Sequence, residues 1–133
     1  MANRSKVLEF TKRGRGTGEG WEIDLIDILK HPRTGTQVAE ISSVAATYLE
    51  KRTATAPETW ADVTSQVSIG GVSVTTGEGT NSAVKGVLAM DKDNTPPAGD
   101  GYRLHCECIL NNGQGEDGYA DVRIIGSAAV PSV

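Results

Sequence analysis

The sequence contains little cysteine, few aromatic side chains and no long apolar run. Its two cysteines, Cys106 and Cys108, are separated by one residue, so they offer no disulfide framework and fit synthesis in a reducing compartment. No apolar run approaches the ~20 residues of a transmembrane helix, and no apolar segment typical of a signal peptide follows the first residues. We therefore expect a protein made in a cytoplasm.

Charge of either sign is also modest. The 133 residues carry 13 Lys and Arg against 17 Asp and Glu, a formal net charge of -4, which argues against broad binding to nucleic acid or to anionic membranes. The length fits one domain with a single core. No serine stands in Gly-x-Ser-x-Gly, and only His31 and His105 are available as a histidine base, so the sequence does not predict an enzyme. Asp91, Asp93 and Asn94 are interpreted as a polar turn, with a weak calcium contact as the alternative.

Glycine, threonine, serine and valine are abundant, and together they are typical of strands and turns. Apolar and polar residues alternate along about eight segments with turn signals every 8–12 residues or so, the pattern of a β-sandwich or barrel. The predicted strands are 6–12, 21–27, 38–50, two within 62–76 around Gly70-Gly71, 83–90, 102–110 and 118–126. A helix over 38–50 is the alternative there. The predicted loops are 13–20, 28–37, 51–60 and 91–101.

The stretch YRLHCECIL (102–110) places both cysteines beside a histidine and raises the question of a metal or redox site. Because alternate residues of a strand share a face, one set is predicted to enter the core: Tyr102, Leu104, Cys106, Cys108 and Leu110. The other set is predicted to form a solvated, charged strip: Arg103, His105, Glu107, Ile109 and Asn111. A zinc site would need His105 to converge with the sulfurs, and a disulfide between next-nearest neighbours strains the allowed geometry. A buried strand is favoured over a weak metal contact or a redox pair.

Two features are candidate partner contacts. Lys12, Arg13 and Arg15 form a small basic cluster at the glycine-rich loop 13–20, which lacks the Gly-Lys-Ser/Thr of a phosphate-binding loop and a following helix. The cluster suits an acidic protein surface or nucleic acid, with solvated loop charges as the alternative. Trp60, beside a predicted loop, is a partner contact or a cap over one end of the core, whereas Trp21 is predicted to lie inside it.

Four ordered segments carry a family resemblance. VLEFTKRGRGTGEGWEIDL joins an apolar-Phe-x-Lys segment through a glycine turn to an aromatic-x-Ile-Asp strand, and AEISSVAATY follows. The paired strands of VSIGGVSVTTGEGTNSAVKGVLA come next. AGDGYRLHCECILNNGQGEDGYADVRIIG then resembles the closing hairpin of an immunoglobulin-like domain. Residues 6–126 thus resemble the small immunoglobulin-like structural proteins of tailed bacteriophages.

The resemblance implies an all-β, immunoglobulin-like antiparallel β-sandwich of about 7–9 short strands over 6–126, with an N-terminal arm (1–5) and a flexible C-terminal tail (127–133). It implies a virion structural protein that decorates or cements the capsid, or sits at the neck, with no catalysis, cofactor or metal. The implied partners are the major capsid protein or other virion subunits, in many copies per particle. The implied location is the virion, after synthesis in the host cytoplasm.

Two further hypotheses stand beside this one. A module that recognises the host surface or a carbohydrate is suggested by Trp60, Tyr48 and the polar segments 51–59 and 91–101. A small metal-dependent activity would have to involve His105 and Cys106.

Overall fold

The computed structural model describes residues 7–11, 18–90 and 97–125, and these form a β-sandwich. The expected all-β sandwich is therefore confirmed. The elements in chain order are β1 (Leu8–Thr11), β2 (Gly18–Asp24), α1 (Ile26–Leu29), β3 (Ile41–Thr55), β4 (Glu58–Asp62), a 3-10 turn (Thr64–Gln66), β5 (Ser68–Thr75), β6 (Ala83–Ala89), β7 (Gly99–Leu110) and β8 (Gly115–Ile125).

The strands make a large sheet in the order β1-β8-β7-β3-β4 and a small sheet in the order β2-β6-β5. All neighbouring strands are antiparallel except β1, which pairs in parallel with β8. Alternating apolar residues of both sheets face each other and form one core. Its largest fully buried side chains include Phe10, Ile23, Leu49, Leu88, Tyr102, Leu104 and Ile124. Trp21, 5% exposed, lies in this core as predicted.

The segment 51–60 is not the loop that its polar composition predicted. Strand β3 continues through it to Thr55, the chain turns at Ala56-Pro57, and β4 returns along β3. Residues 52–59 are exposed, because this hairpin extends beyond the core and both of its faces meet water. Polar side chains on both faces therefore mark a solvated hairpin here. The longest strands, β3 and β7, have 15 and 12 residues and exceed the expected length, whereas β1 and β4 of the same sheet have 4 and 5.

The segment 62–76 forms one strand where two were predicted. The chain leaves β4 at Asp62, whose carboxylate accepts hydrogen bonds from the backbone and hydroxyl of Thr64 and so starts the 3-10 turn. Strand β5 then runs through both glycines, with a register irregularity between Gly70 and Ser73. Gly71 has a φ of 63°, so the Gly-Gly pair makes a bulge within β5 and not a hairpin.

Asp24 ends β2 earlier than predicted and anchors the loop between β5 and β6. Its Oδ1 accepts hydrogen bonds from the Ile26 backbone (3.0 Å) and the Ser82 hydroxyl (2.9 Å), while its Oδ2 accepts one from the Glu78 backbone (2.7 Å). The first of these bonds caps the turn into α1, where the sequence predicted continued strand to residue 27. The strand prediction for 38–50 is confirmed from Ile41 onward.

Several predicted features lie outside the described residues. These are the arm 1–5, the tail 127–133, the basic cluster Lys12, Arg13 and Arg15, and the polar turn at Asp91, Asp93 and Asn94. The last part of the glycine-rich segment, residues 18–20, belongs to β2. Among the residues described, no helix has both the length and the apolar character needed to cross a membrane.

Candidate functional site

The inward half of YRLHCECIL lies in the core, as predicted. Cys106 and Cys108 are 0% and 1% exposed and both are free thiols. The Cys108 sulfur donates a weak hydrogen bond to the Cys106 carbonyl oxygen at 3.7 Å. The adjacent Cys108 sulfur and burial raise the pKa of Cys106 far above its ordinary value. A protonated, buried thiol is a poor nucleophile and a poor metal ligand, which describes Cys106. The same contact lowers the pKa of Cys108, but its sulfur is buried from reagents and metal ions, so both cysteines pack as small core residues.

His105 lies on the opposite face of β7, but the prediction that it is solvated is wrong. It is only 8% exposed, because it is the register partner of Tyr48 on β3 and of Tyr119 on β8. The Tyr48 ring stacks on the imidazole with centroids 4.6 Å apart and planes 7° apart. The Tyr119 ring lies 5.7 Å away in a tilted arrangement. Three rings thus form a row across the outer face of the large sheet.

Two carboxylates contact the edge of the His105 ring. Its Nδ1 lies 3.1 Å from Asp117 Oδ2, at hydrogen-bonding distance, and its Nε2 lies 2.8 Å from Glu50 Oε1. The Glu50 contact is short but does not have the alignment of a hydrogen bond, so Nε2 is buried without a well-aligned acceptor. A neutral imidazole can donate from only one nitrogen, whereas an imidazolium can donate from both.

Arg103 joins this row to Trp60 at the sheet edge. Its guanidinium carbon lies 4.4 Å from the ring centroid of Trp60 and 4.4 Å from that of Tyr119, both within the range of cation–π attraction. Its Nε lies 3.3 Å from Asp121 Oδ1. Trp60 is half-buried on β4, and not in the loop where the sequence placed it. We call Tyr48, Trp60, Arg103, His105 and Tyr119 the outer-face cluster.

The hydroxyl of Tyr48 lies near carboxylates. Burial, the charge of Asp117 and the neighbouring Glu107 carboxylate raise the pKa of Tyr48 from its ordinary value of 10.0 to about 12. A tyrosinate there would be repelled by these carboxylates, so the neutral hydroxyl is favoured. One ring of the cluster therefore lies beside the Glu107 carboxylate, at the neighbouring pair of β7 and β8.

That carboxylate belongs to an acidic patch beside the cluster. Glu107 of β7 is the register partner of Asp117 of β8 on the outer face, whereas Glu116 is the register partner of the inward Cys108 and belongs to the other face. We call Glu107 and Asp117 the acidic corner. The register of β3 shifts between Val44 and Ala46, and a shallow cavity of about 290 Å³ opens at this bulge. It is lined by Ala45, Glu107, Cys108, Ile109, Gly115, Glu116 and Asp117.

The structure brings only part of the sequence-predicted site together. Trp60 and Tyr48, the latter predicted only for host recognition, lie among the described residues, and both join the outer-face cluster. Sequence reasoning missed the row of Tyr48, His105 and Tyr119 as well as the acidic corner. The alternation of β7 places His105 and Glu107 outward, but their neighbours depend on the register of three strands, which no local pattern records.

The described residues contain no group of three or more His, Cys, Asp and Glu side chains arranged to hold a metal ion. His105 and Cys106 lie on opposite faces of β7, as strand alternation predicts. Comparison of the chain with protein-family models, with curated proteins and with solved structures finds no match.

Proposed function

We propose that the chain is an immunoglobulin-like structural protein of a tailed-phage virion that decorates or cements the capsid through the outer face of its large sheet. The observation that carries the proposal is the outer-face cluster. Trp, Tyr and Arg are the residue types that dominate the energetics of protein interfaces. Here stacking already holds their side chains in place, so little side-chain entropy is lost on contact with a partner.

The strand order supports the immunoglobulin-like part of the proposal. In an immunoglobulin-like domain one sheet contains strands B, E and D, and the other contains G, F and C, with C′ added in the variable type. The small sheet β2-β6-β5 matches the order B-E-D. Strands β8-β7-β3-β4 of the large sheet match the order G-F-C-C′. The phage context rests on the resemblance of residues 6–126.

Particles made without the gene for this chain test the proposal. We expect cryo-electron microscopy to show regularly spaced density missing from their surface, and purified wild-type chain to restore it. Arg103→Ala should bind such particles about tenfold more weakly or worse, a loss of about 1.4 kcal/mol. Lys85→Ala, an exposed position on the small sheet, is the matched control and should bind normally. Particles that are unchanged in density and protein content when the gene is absent would contradict the proposal.

Recognition of a host surface or carbohydrate has less support from the geometry. A sugar ring needs a free aromatic face to stack on, but Arg103 lies against Trp60 and His105 lies against Tyr48. The polar segment 51–59, which suggested this role, is mostly strand. Trp60→Ala provides the test: loss of attachment to host cells by fully assembled particles would favour recognition over decoration.

A further inference from the structure

We propose that the outer face receives a basic segment of its protein partner, with a Lys or Arg side chain entering the cavity at the acidic corner. This inference rests on the proposed role of the outer face as the contact surface. It adds the chemistry of the segment that binds there.

The charge balance of the outer face is the first argument. Its carboxylates are Glu9, Glu50, Glu58, Asp62, Glu107, Asp117 and Asp121, against the guanidinium groups of Arg52, Arg103 and Arg123. The face thus carries an excess of negative charge, which favours approach of a positively charged segment.

The arginines of this face are already engaged within it. Arg123 contacts Asp100 at 2.7 Å and Glu9 at 3.1 Å. Arg103 lies between two aromatic rings with its side chain only 25% exposed. Arg52 pairs at 3.9 Å with Glu58. Among the described residues, no Lys or Arg forms an ion pair with the acidic corner, so none of these cations neutralises its negative charge.

The corner places two carboxylates where their repulsion is unfavourable. Glu107 and Asp117 stand directly opposite each other on antiparallel strands, and like charges in that position destabilise a sheet. Asp117 has an internal partner, the His105 Nδ1 at 3.1 Å, and Glu107 is exposed. An ionised carboxylate has about four acceptor sites, so both retain the capacity to bind a cation from a partner.

The cavity at the corner matches the shape of a long basic side chain. Ile109, 38% exposed, and Ala45 line the cavity with apolar surface, and the outward Glu107 and Asp117 line it with carboxylates. Lys and Arg side chains pack their methylene stems on apolar surface while the charged group stays with polar partners. An acidic side chain would meet like charge here, and an aliphatic one would leave the carboxylates without a cation.

A peptide of alternating lysine and glycine is the probe, titrated into isotope-labelled protein and followed by NMR. We expect saturable amide shifts at Glu107, Ile109, Gly115 and Asp117, and none with the corresponding glutamate–glycine peptide. The double variant Glu107→Gln/Asp117→Asn should bind the lysine peptide at least tenfold more weakly. Glu22→Gln, on the exposed face of the small sheet, is the matched control. Unchanged affinity in the double variant, shifts confined to another surface, or the same shifts with calcium ion alone would each overturn the proposal.

The same variants separate this inference from the proposed function. If the wild-type chain and the double variant bind the particles equally well, the basic-segment proposal fails and the decoration proposal stands. If the wild-type chain binds the lysine peptide at the corner but no particle, the decoration proposal fails and the chemistry of the corner stands.

Discussion

The imidazole of His105 lies parallel to the phenol ring of Tyr48, with the centroids 4.6 Å apart. Each ring also lies beside a carboxylate of the acidic corner, because His105 Nδ1 is 3.1 Å from Asp117 Oδ2 and Glu107 helps to raise the pKa of Tyr48. Ionisation of Tyr48 therefore reports on the opposed acidic groups of the corner.

Tyr48 should ionise late in an alkaline titration. The absorbance difference between wild type and Tyr48→Phe should show a tyrosinate step near pH 12, above the ordinary value of 10.0. Since the folded-state pKa is the higher one, the neutral hydroxyl contributes its full stability below pH 10 and loses it as the pH rises toward 12. The Tyr119→Phe protein serves as the control and should retain the late step. A Tyr48 step at its ordinary value would contradict the placement of the hydroxyl beside Asp117 and Glu107.

Arg103→Lys should destabilise the protein although it keeps the charge. An ammonium group cannot lie flat between the rings of Trp60 and Tyr119 as a guanidinium does. We expect a loss of about 1 kcal/mol in urea unfolding, together with a changed fluorescence emission from Trp60. Arg123→Lys, whose partners are exposed carboxylates, should stay within about 0.5 kcal/mol of wild type. Equal effects of the two substitutions would argue against the stacking interaction.

Alanine at two glycines of β8 should have very different effects on stability. A Cβ on Gly118 would lie 2.7 Å from the buried Leu25 side chain, whereas a Cβ on Gly115 would meet its nearest neighbour at 3.9 Å. We expect Gly118→Ala to lose about 1–3 kcal/mol of unfolding free energy through overpacking. Gly115→Ala should change it by about 0.5 kcal/mol or less. Similar stabilities for both variants would show that the two sheets approach less closely than described.

Asp24→Ala should lower the free energy of unfolding by about 2 kcal/mol, since it removes a charged acceptor of three hydrogen bonds. Hydrogen exchange at the Ile26 and Glu78 amides should also accelerate, because both lose their acceptor. Glu22→Ala, an exposed position on the same strand, provides the comparison and should have little effect. A stable Asp24→Ala protein with protected amides would mean that the loop between β5 and β6 is held by other contacts.

The thiols of Cys106 and Cys108 should resist a water-soluble thiol reagent in the folded protein. Both lie in the core, at 0% and 1% exposure, so labelling requires unfolding. We expect no rapid reaction under native conditions and reaction of both thiols in guanidinium chloride. Rapid native labelling of either thiol would show that the face assignment of β7 is wrong.

Local alternation was enough to predict much of β7 and the class of the fold. Tyr102, Leu104 and Cys106 point inward because side chains of a strand alternate regardless of what lies beside them. The same logic identified β6 and most of β3. It failed for 51–60, because both faces of that hairpin are solvated and its sequence therefore does not alternate large apolar residues with polar ones.

The site itself depends on information that a single strand does not contain. Burial of His105 requires Tyr48 and Tyr119 to be its neighbours on both sides, and the position of Trp60 requires a hairpin at Ala56-Pro57. Both are properties of strand register, which is set by the whole sandwich. An outward histidine on a strand therefore looked solvated in the sequence and is covered in the fold.

The parallel pairing of β1 with β8 determines how the domain would carry mechanical load. Leu8, where β1 begins, lies beside Val122, and Thr11 lies beside Ile125, where β8 ends. Tension between the start of β1 and the end of β8 would slide these strands along each other. The evenly spaced hydrogen bonds of a parallel ladder would then share the force and break together, instead of opening one after another. Force between the start of β1 and the end of β8 therefore loads their pairing in shear, the geometry in which a strand pair resists separation best.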